Sequence, residues 1–221
     1  MKSIRVAVAA AAVGMTLTAC SSPMHAGAAA VVGNERISAS QVNENTQVYV
    51  TALRNAKLDE QTKAALAGTT LEQAALQGTS ASQLVLRNMV EVSAFRQLMA
   101  RYNVQVSQTE IDNALKDPGQ YPSAELRLLF SGVAPQNARE YGRVVVGVAK
   151  LQQQFGGESG QQRLLQEFSA FQPVFSPRYG ALNPQRSQEN PAMFVDTGRF
   201  GKLTPPQQQQ PQQQPQQQPQ G

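Results

Sequence analysis

Ser80 to Leu115 constrains this chain more than any other stretch. Val85, Met89, Val92, Phe95, Met99 and Tyr102 recur at steps of three and four residues, which places them on one face of a helix spanning Ser80–Tyr102. At 100° per residue Leu84, Leu86 and Ala100 fall on the same side, so the apolar surface covers more than half the circumference. Arg96 and Asn88 point into that face. A helix this broadly apolar is buried on several sides or keeps surface for a partner. Asn103-Val104-Gln105-Val106 alternates as an extended link. Ser107-Gln108-Thr109-Glu110 is then a capping box that opens a second helix over Gln108–Lys116, with Ile111 and Leu115 inward.

The two ends are not expected to belong to the fold. Lys2 and Arg5 precede an apolar run from Val6 to Ala19, the charged and apolar regions of a secretory signal and too short for a good membrane span. The run ends Leu17-Thr18-Ala19-Cys20. Small residues before the chain's single cysteine resemble the bacterial lipoprotein signal, and that resemblance implies cleavage before Cys20 and acylation there. Residues 1–19 therefore read as a signal peptide and 20–29 as a tether. The expected location is the extracytoplasmic face of a membrane, held by lipid at Cys20. His25, the only histidine, lies in the tether and lacks partners for catalysis or metal binding.

At the other end, residues 205–221 are Pro-Pro and Gln runs broken by prolines, with no charge and no apolar residue. Such a segment cannot offset chain entropy and is expected to be disordered. Residues 183–221 as a whole read as irregular to disordered. A single domain over 30–182 remains. One cysteine excludes disulfides within the chain, so an apolar core must hold the domain. Without Lys2 and Arg5 there are 17 basic residues against 15 acidic ones, near +2 rather than +4. No Lys/Arg run marks a nucleic-acid surface.

Val31-Val32 and Arg36-Ile37 are short extended pieces around Gly33-Asn34. Ser38 with Gln41 is a capping box for a helix to about Lys57, whose inner face is Val42, Thr46, Tyr49, Val50 and Leu53. This pattern, a strand, a Gly/Asn turn, Ile-Ser and a helix, is similar to the start of the SurA-type periplasmic chaperones and their PrsA-like lipoprotein relatives, with Gly and Asn exchanged. Tyr102-Asn103-Val104-Gln105-Val106-Ser107 followed by Glu110-Ile111 and Leu115 resembles the same family's link after its long helix. Val174-Phe175-Ser176-Pro177-Arg178-Tyr179-Gly180 resembles its closing segment. The resemblance implies a mainly α, multi-helix domain in which Val174-Phe175 pairs with Val31-Val32, a small strand pair joining the two ends. A two-residue strand is stable only when paired, which agrees. Arg178 and Tyr179 either fix this corner or are exposed.

Other segments are less determined. Asp59 is a candidate cap for a helix over Glu60–Leu66, and Thr70 with Gln73 for another through Leu76. Ala124–Phe130 reads as strand or helix. Tyr141, Val144, Val148, Leu151 and Phe155 keep helical spacing, although Val144-Val145-Val146-Gly147 leaves a strand open. Ser159–Phe171 reads as a helix with Leu164, Leu165, Phe168 and Phe171 inward, ended by Pro173.

Relatives in this family often carry a parvulin prolyl-isomerase domain with paired histidines. No histidine follows His25, so that chemistry is absent. One His and one Cys make no metal cluster. No phosphate loop or nucleophile elbow occurs, and the carboxylate pairs Asp59/Glu60 and Glu110/Asp112 sit at helix starts, where they balance the dipole. No enzyme activity or cofactor is expected. What remains is surface. The expected client-binding face is Val85, Met89, Val92, Phe95, Arg96, Met99 and Tyr102, lining an apolar cleft for unfolded or exported polypeptides. The alternative is an envelope scaffold or specific partner-binding module on the same fold. In either case each methionine of that face has a plain core role to compete with.

Overall fold

The computed structural model describes residues 26–183 and 194–195. The signal peptide, Cys20, His25 and the Pro/Gln segment lie outside the described residues. Within them the chain is mainly helical, with a small antiparallel sheet.

Strand β1, Ala28–Val32, turns at Gly33-Asn34 into β2, Glu35–Ser38. Gly33 has φ +56°, and a Cβ there would press on the Gln97 side chain, so this turn needs glycine twice over. Strand β3, Val174–Phe175, pairs with the other edge of β1 through Ala30↔Phe175 and Val31↔Val174. The sheet order is β2-β1-β3. The two ends of the domain thus meet, as the sequence leads one to expect, but in three strands rather than two. The domain also begins earlier than residue 30. Ala28 and Ala29 are buried strand residues, not tether. Alanine is a weak strand former, and packing beneath the sheet overrides that preference.

Ser38 caps α1, Ala39–Asn55, with its hydroxyl accepting from Gln41 N–H and Gln41 returning the bond. The same reciprocal cap opens α3, Leu71–Leu76, at Thr70, and α4, Ala81–Arg101, at Ser80. It recurs at Ser107 for α5, Gln108–Lys116. Asp59 caps the short α2, Glu60–Ala65, through Thr62 N–H. Each cap satisfies helix-end donors that would otherwise be orphaned.

Ala124–Phe130 is a helix, α6. A 3-10 turn at Pro135–Asn137 leads into α7, Ala138–Gln154, which runs straight through the valine triplet. The strand alternative fails there because Gly142 and Gly147 are contact points between helices. A Cβ at Gly142 would lie 3.0 Å from Leu115 Cγ, and one at Gly147 would collide with the Met99 sulfur. Glycine in a helix costs about 1 kcal/mol relative to alanine; here it permits close approach of α7 to α5 and α4. Helix α8, Gly160–Ser169, buries Leu164 but leaves Leu165 exposed to solvent, contrary to its expected inward position.

Helix α4 threads three apolar clusters. Its first turns give Leu84 and Val85 to a cluster with Tyr49, Leu53, Leu126 and Leu129. Its middle gives Leu86, Val90 and Ala94 to a cluster beneath the sheet, with Val32, Ile37 and Val42. Its last turns give Leu98 and Met99 to a cluster with Val144, Leu151 and Leu164. Each fully buried Leu or Val contributes roughly 1.5–3 kcal/mol, which makes α4 the spine of the fold. Ala100 alone of the expected inward set faces solvent.

The closing corner is fixed by Tyr179 and not by Arg178. Tyr179 is buried, and its carbonyl accepts from Gln83 Nε2 at 2.9 Å, whereas Arg178 is exposed. The irregular region assigned from 183 onward contains structure. Strand β4, Ala181–Leu182, pairs with β5, Phe194–Val195. Phe194 is buried and meets Phe175 edge to face at 5.6 Å.

Candidate functional site

The β1–β2 hairpin is pinned onto α4 by three side chains within about one turn, Ser93, Arg96 and Gln97. Gln97 Nε2 donates to Val32 O at 2.9 Å. Ser93 donates its hydroxyl to Glu35 Oε2 at 2.6 Å, and Arg96 donates to Glu35 Oε1. Burial pushes the Glu35 carboxyl up, but the hydrogen bonds from Arg96 and Ser93 and the arginine charge outweigh it and hold the group below its ordinary range.

Pinned in this way, the hairpin stands beside α4 and leaves a cleft of about 140 Å³. Ile37, Met89 and Val92 supply its apolar wall, and Glu35, Arg96 and Asn137 its polar rim. Behind it, Asn45 is buried in a small amide network. It donates to Gln41 O at 2.8 Å and accepts from Gln136 and Asn137 at 2.9 and 2.7 Å. Its Nδ2 also lies 3.9 Å from the Met89 sulfur.

A second cleft, about 220 Å³, runs between α4 and α7. Val92 and Phe95 face Tyr141, Val144, Val145 and Val148 across it. The two clefts share Asn88 and Val92 as wall residues. The valine triplet that reads ambiguously in sequence therefore has a purpose: Val144 and Val145 form the far wall of this cleft.

The seven residues expected to form one binding face are divided by the structure. Met89, Val92 and Arg96 line the first cleft, and Val92 and Phe95 the second. Phe95 is also stacked on Phe168, with centroids 4.9 Å apart. Val85 and Met99 are core, 1 % and 5 % exposed. Val85 is enclosed by α1 and α6, and Met99 fills the space over Gly147. Tyr102 is engaged within the fold. It donates to Glu167 Oε1 at 2.6 Å and meets Phe155 edge to face. Val85 and Met99 are closed off from a client, and Tyr102 is half-buried with its hydroxyl and ring already engaged. The apolar stripe mixes two faces because 3.6 residues per turn spreads an i, i+3, i+4 series over a wide arc.

Arg96 behaves as a rim residue, half exposed and paired with Glu35. Glu35, Ile37 and the α7 valines complete the clefts. Sequence reasoning did not assign them, because only the hairpin's docking and the α4–α7 packing bring them to α4. Among the described residues, no group of three or more His, Cys, Asp or Glu could hold a metal ion, and no helix is long and apolar enough to cross a membrane.

The comparisons add no relative: no family model matches the chain, and no curated protein or solved structure does. The class that the fold and clefts define is therefore a helical domain with a partly open apolar flank on its central helix.

Proposed function

We propose that this protein is a lipid-anchored, extracytoplasmic, chaperone-like module of the SurA and PrsA type. It binds unfolded or extended polypeptide in the clefts beside α4, and it does so without isomerase chemistry. The observation that carries the reading is the pair of neighbouring clefts lined by Met89, Val92 and Phe95. These large side chains sit on the central helix yet remain partly exposed, where a helix with no further role would be closed over. Methionine at such a surface adapts to varied apolar side chains. The mature charge near +2 gives little electrostatic selection, which suits clients chosen by apolar content.

Attachment at Cys20 follows from the lipoprotein-like signal. It predicts that an alkyne fatty acid fed to cells labels the wild-type chain and not Cys20→Ser. The binding reading is tested by adding the purified protein to a chemically unfolded client diluted into buffer. A stoichiometric excess delays aggregation, and Val92→Asp removes the delay. No delay with any client, together with no binding of unfolded peptides, overturns the proposal. Capture of one stoichiometric partner and no unfolded clients replaces it with a specific partner-binding module on the same clefts.

A further inference from the structure

Asn88 stands at the junction of the two clefts, in the wall of both. It is 4 % exposed and forms no hydrogen bond with any described residue. It sits in mid-helix, where an asparagine can satisfy itself by donating to the carbonyl four residues back. Asn45 does that on α1, bonding Gln41 O at 2.8 Å; Asn88 does not. The carboxamide atoms are not fully enclosed, so the side chain is buried while its polar end opens to the clefts without a partner in the fold. Leu84, Val85 and Val92 lie three and four residues away along the helix, so a leucine has apolar surface to pack against. The side chain is held among apolar walls with its donor and acceptor turned to the clefts.

We infer that Asn88 is the polar anchor of the clefts: it pairs with one main-chain amide of an extended, uncharged polypeptide segment, whose apolar side chains enter the clefts on either side. The inference rests on the proposed polypeptide-binding function and specifies what that site reads. A carboxamide offers one acceptor and two donors, the complement of a peptide C=O and N–H. A helical ligand has already used those groups within itself, so an extended strand is the form that satisfies Asn88. The distance also fits. Met89 to Phe95 spans about 9 Å of helix axis, the length of about three residues of extended chain.

Charge selects the segment. At the first cleft Glu35 pairs with Arg96 and Glu140 with Arg143, while Arg36 donates to the Ala26 carbonyl and the buried Glu140 Oε1 has no hydrogen-bond partner. The wall of the second is valine, phenylalanine and tyrosine apart from Asn88 and from Glu91, which pairs with Arg87. At the second cleft a neutral apolar segment is therefore the complement, and a charged one would be desolvated there without a partner. The chain's own C-terminal stretch is a poor occupant, since residues 205–221 contain only Pro, Gln and Gly.

The test uses the full chain and a fluorescein-labelled nonapeptide alternating valine with serine or threonine, blocked at both ends. Fluorescence anisotropy gives its affinity. A second series carries a single backbone N-methyl group or ester link, moved along the peptide. One position is expected to weaken binding about tenfold, the effect of a single buried hydrogen bond. Asn88→Leu and Asn88→Ala weaken the parent peptide by the same factor and abolish the difference between parent and modified peptides. Asn88→Leu also leaves the melting temperature unchanged or raises it, because it replaces a mostly buried side chain that has no polar partner in the fold with an apolar one.

Three results overturn the inference. The parent peptide binds, but every backbone-modified peptide binds equally well. Asn88→Leu binds as wild type, or melts several degrees lower, which assigns Asn88 a structural role. A peptide locked as a helix binds as tightly as the extended one. In each of these cases the polypeptide-binding function survives. Failure of every unfolded client and peptide to bind sinks that function, and this inference with it. The modified peptides act on wild-type protein, so the outcome does not depend on a variant folding.

Discussion

Along α4, Leu86, Val90, Ala94 and Leu98 repeat every four residues and are at most 3 % exposed. Interleaved with them, Met89, Val92 and Phe95 remain partly open and line clefts. Both sets are apolar and on one helix, so composition does not separate them. What separates them is what lies opposite. The sealed flank meets the sheet, α1 and α8, whose side chains interlock with it. The open flank meets two elements held slightly away: the hairpin, propped by Glu35 on Ser93 and Arg96, and the valine row of α7. Polar groups among apolar ones mark the difference as well. Asn88, without a partner in the fold, faces the open flank, and Glu140 Oε1 is unpaired there as well.

The comparison breaks most visibly when the sealed flank is cut. Leu86→Ala and Leu98→Ala each remove a fully buried side chain from the spine, and each is expected to cost 2–5 kcal/mol in chemical denaturation. An equal loss from Met89→Ala would erase the distinction between the flanks. On the open flank, Val92→Asp is expected to cost under about 1.5 kcal/mol in stability, because its polar head can reach solvent, yet to abolish the delay of client aggregation. The third effect is smaller. Tyr49 donates its hydroxyl to Leu129 O at 2.8 Å from inside the first cluster. Tyr49→Phe should lower stability by about 1 kcal/mol, since Leu129 O keeps a second donor in Gly132 N–H.

The smallest effect is electrostatic and sharpens the role of the prop. Glu35 is held below its ordinary 4.5. Glu110 is held at about 2 by Lys150 and by the Ser107 backbone and hydroxyl donors, which ties α5 to α7. For a carboxylate depressed in the folded state, the stabilisation is present above the unfolded pKa. It is lost as pH falls through the folded value. The melting temperature should therefore decline between about pH 4.5 and pH 2. Glu35→Gln and Glu110→Gln together should flatten that decline, and Glu35→Gln alone should weaken client binding by loosening the hairpin. A melting curve that falls as steeply in the double variant contradicts the assignment.

Local chemistry was readable in the sequence, and docking was not. The reciprocal caps at Ser38, Thr70, Ser80 and Ser107 involve residues three apart, so the pattern alone locates four helix starts. The return of Val174-Phe175 to β1 was legible through the resemblance to the chaperones' closing segment, with which the need of a short strand for a partner agrees. Phe194 was not, since a two-residue strand among Asn, Pro and Gly carries no periodicity. The helix through Val144–Gly147 was undecidable locally, because its glycines make sense only against Met99 and Leu115. For the candidate site, Met89, Val92, Phe95 and Arg96 were legible as one stripe. Val85, Met99 and Tyr102 were misplaced, because the stripe does not say which neighbour covers it. Asn88 was visible on that face, but whether its amide had a partner is a property of the packed structure.

The most direct measurement is photo-crosslinking in the full chain from positions 89 and 99, ten residues apart on one helix and both methionine. With an unfolded client present, position 89 should crosslink to the client, and position 99 only to the protein's own helices. Crosslinks from 89 confined to the protein itself, or client crosslinks of equal yield from both positions, would contradict an open flank on α4.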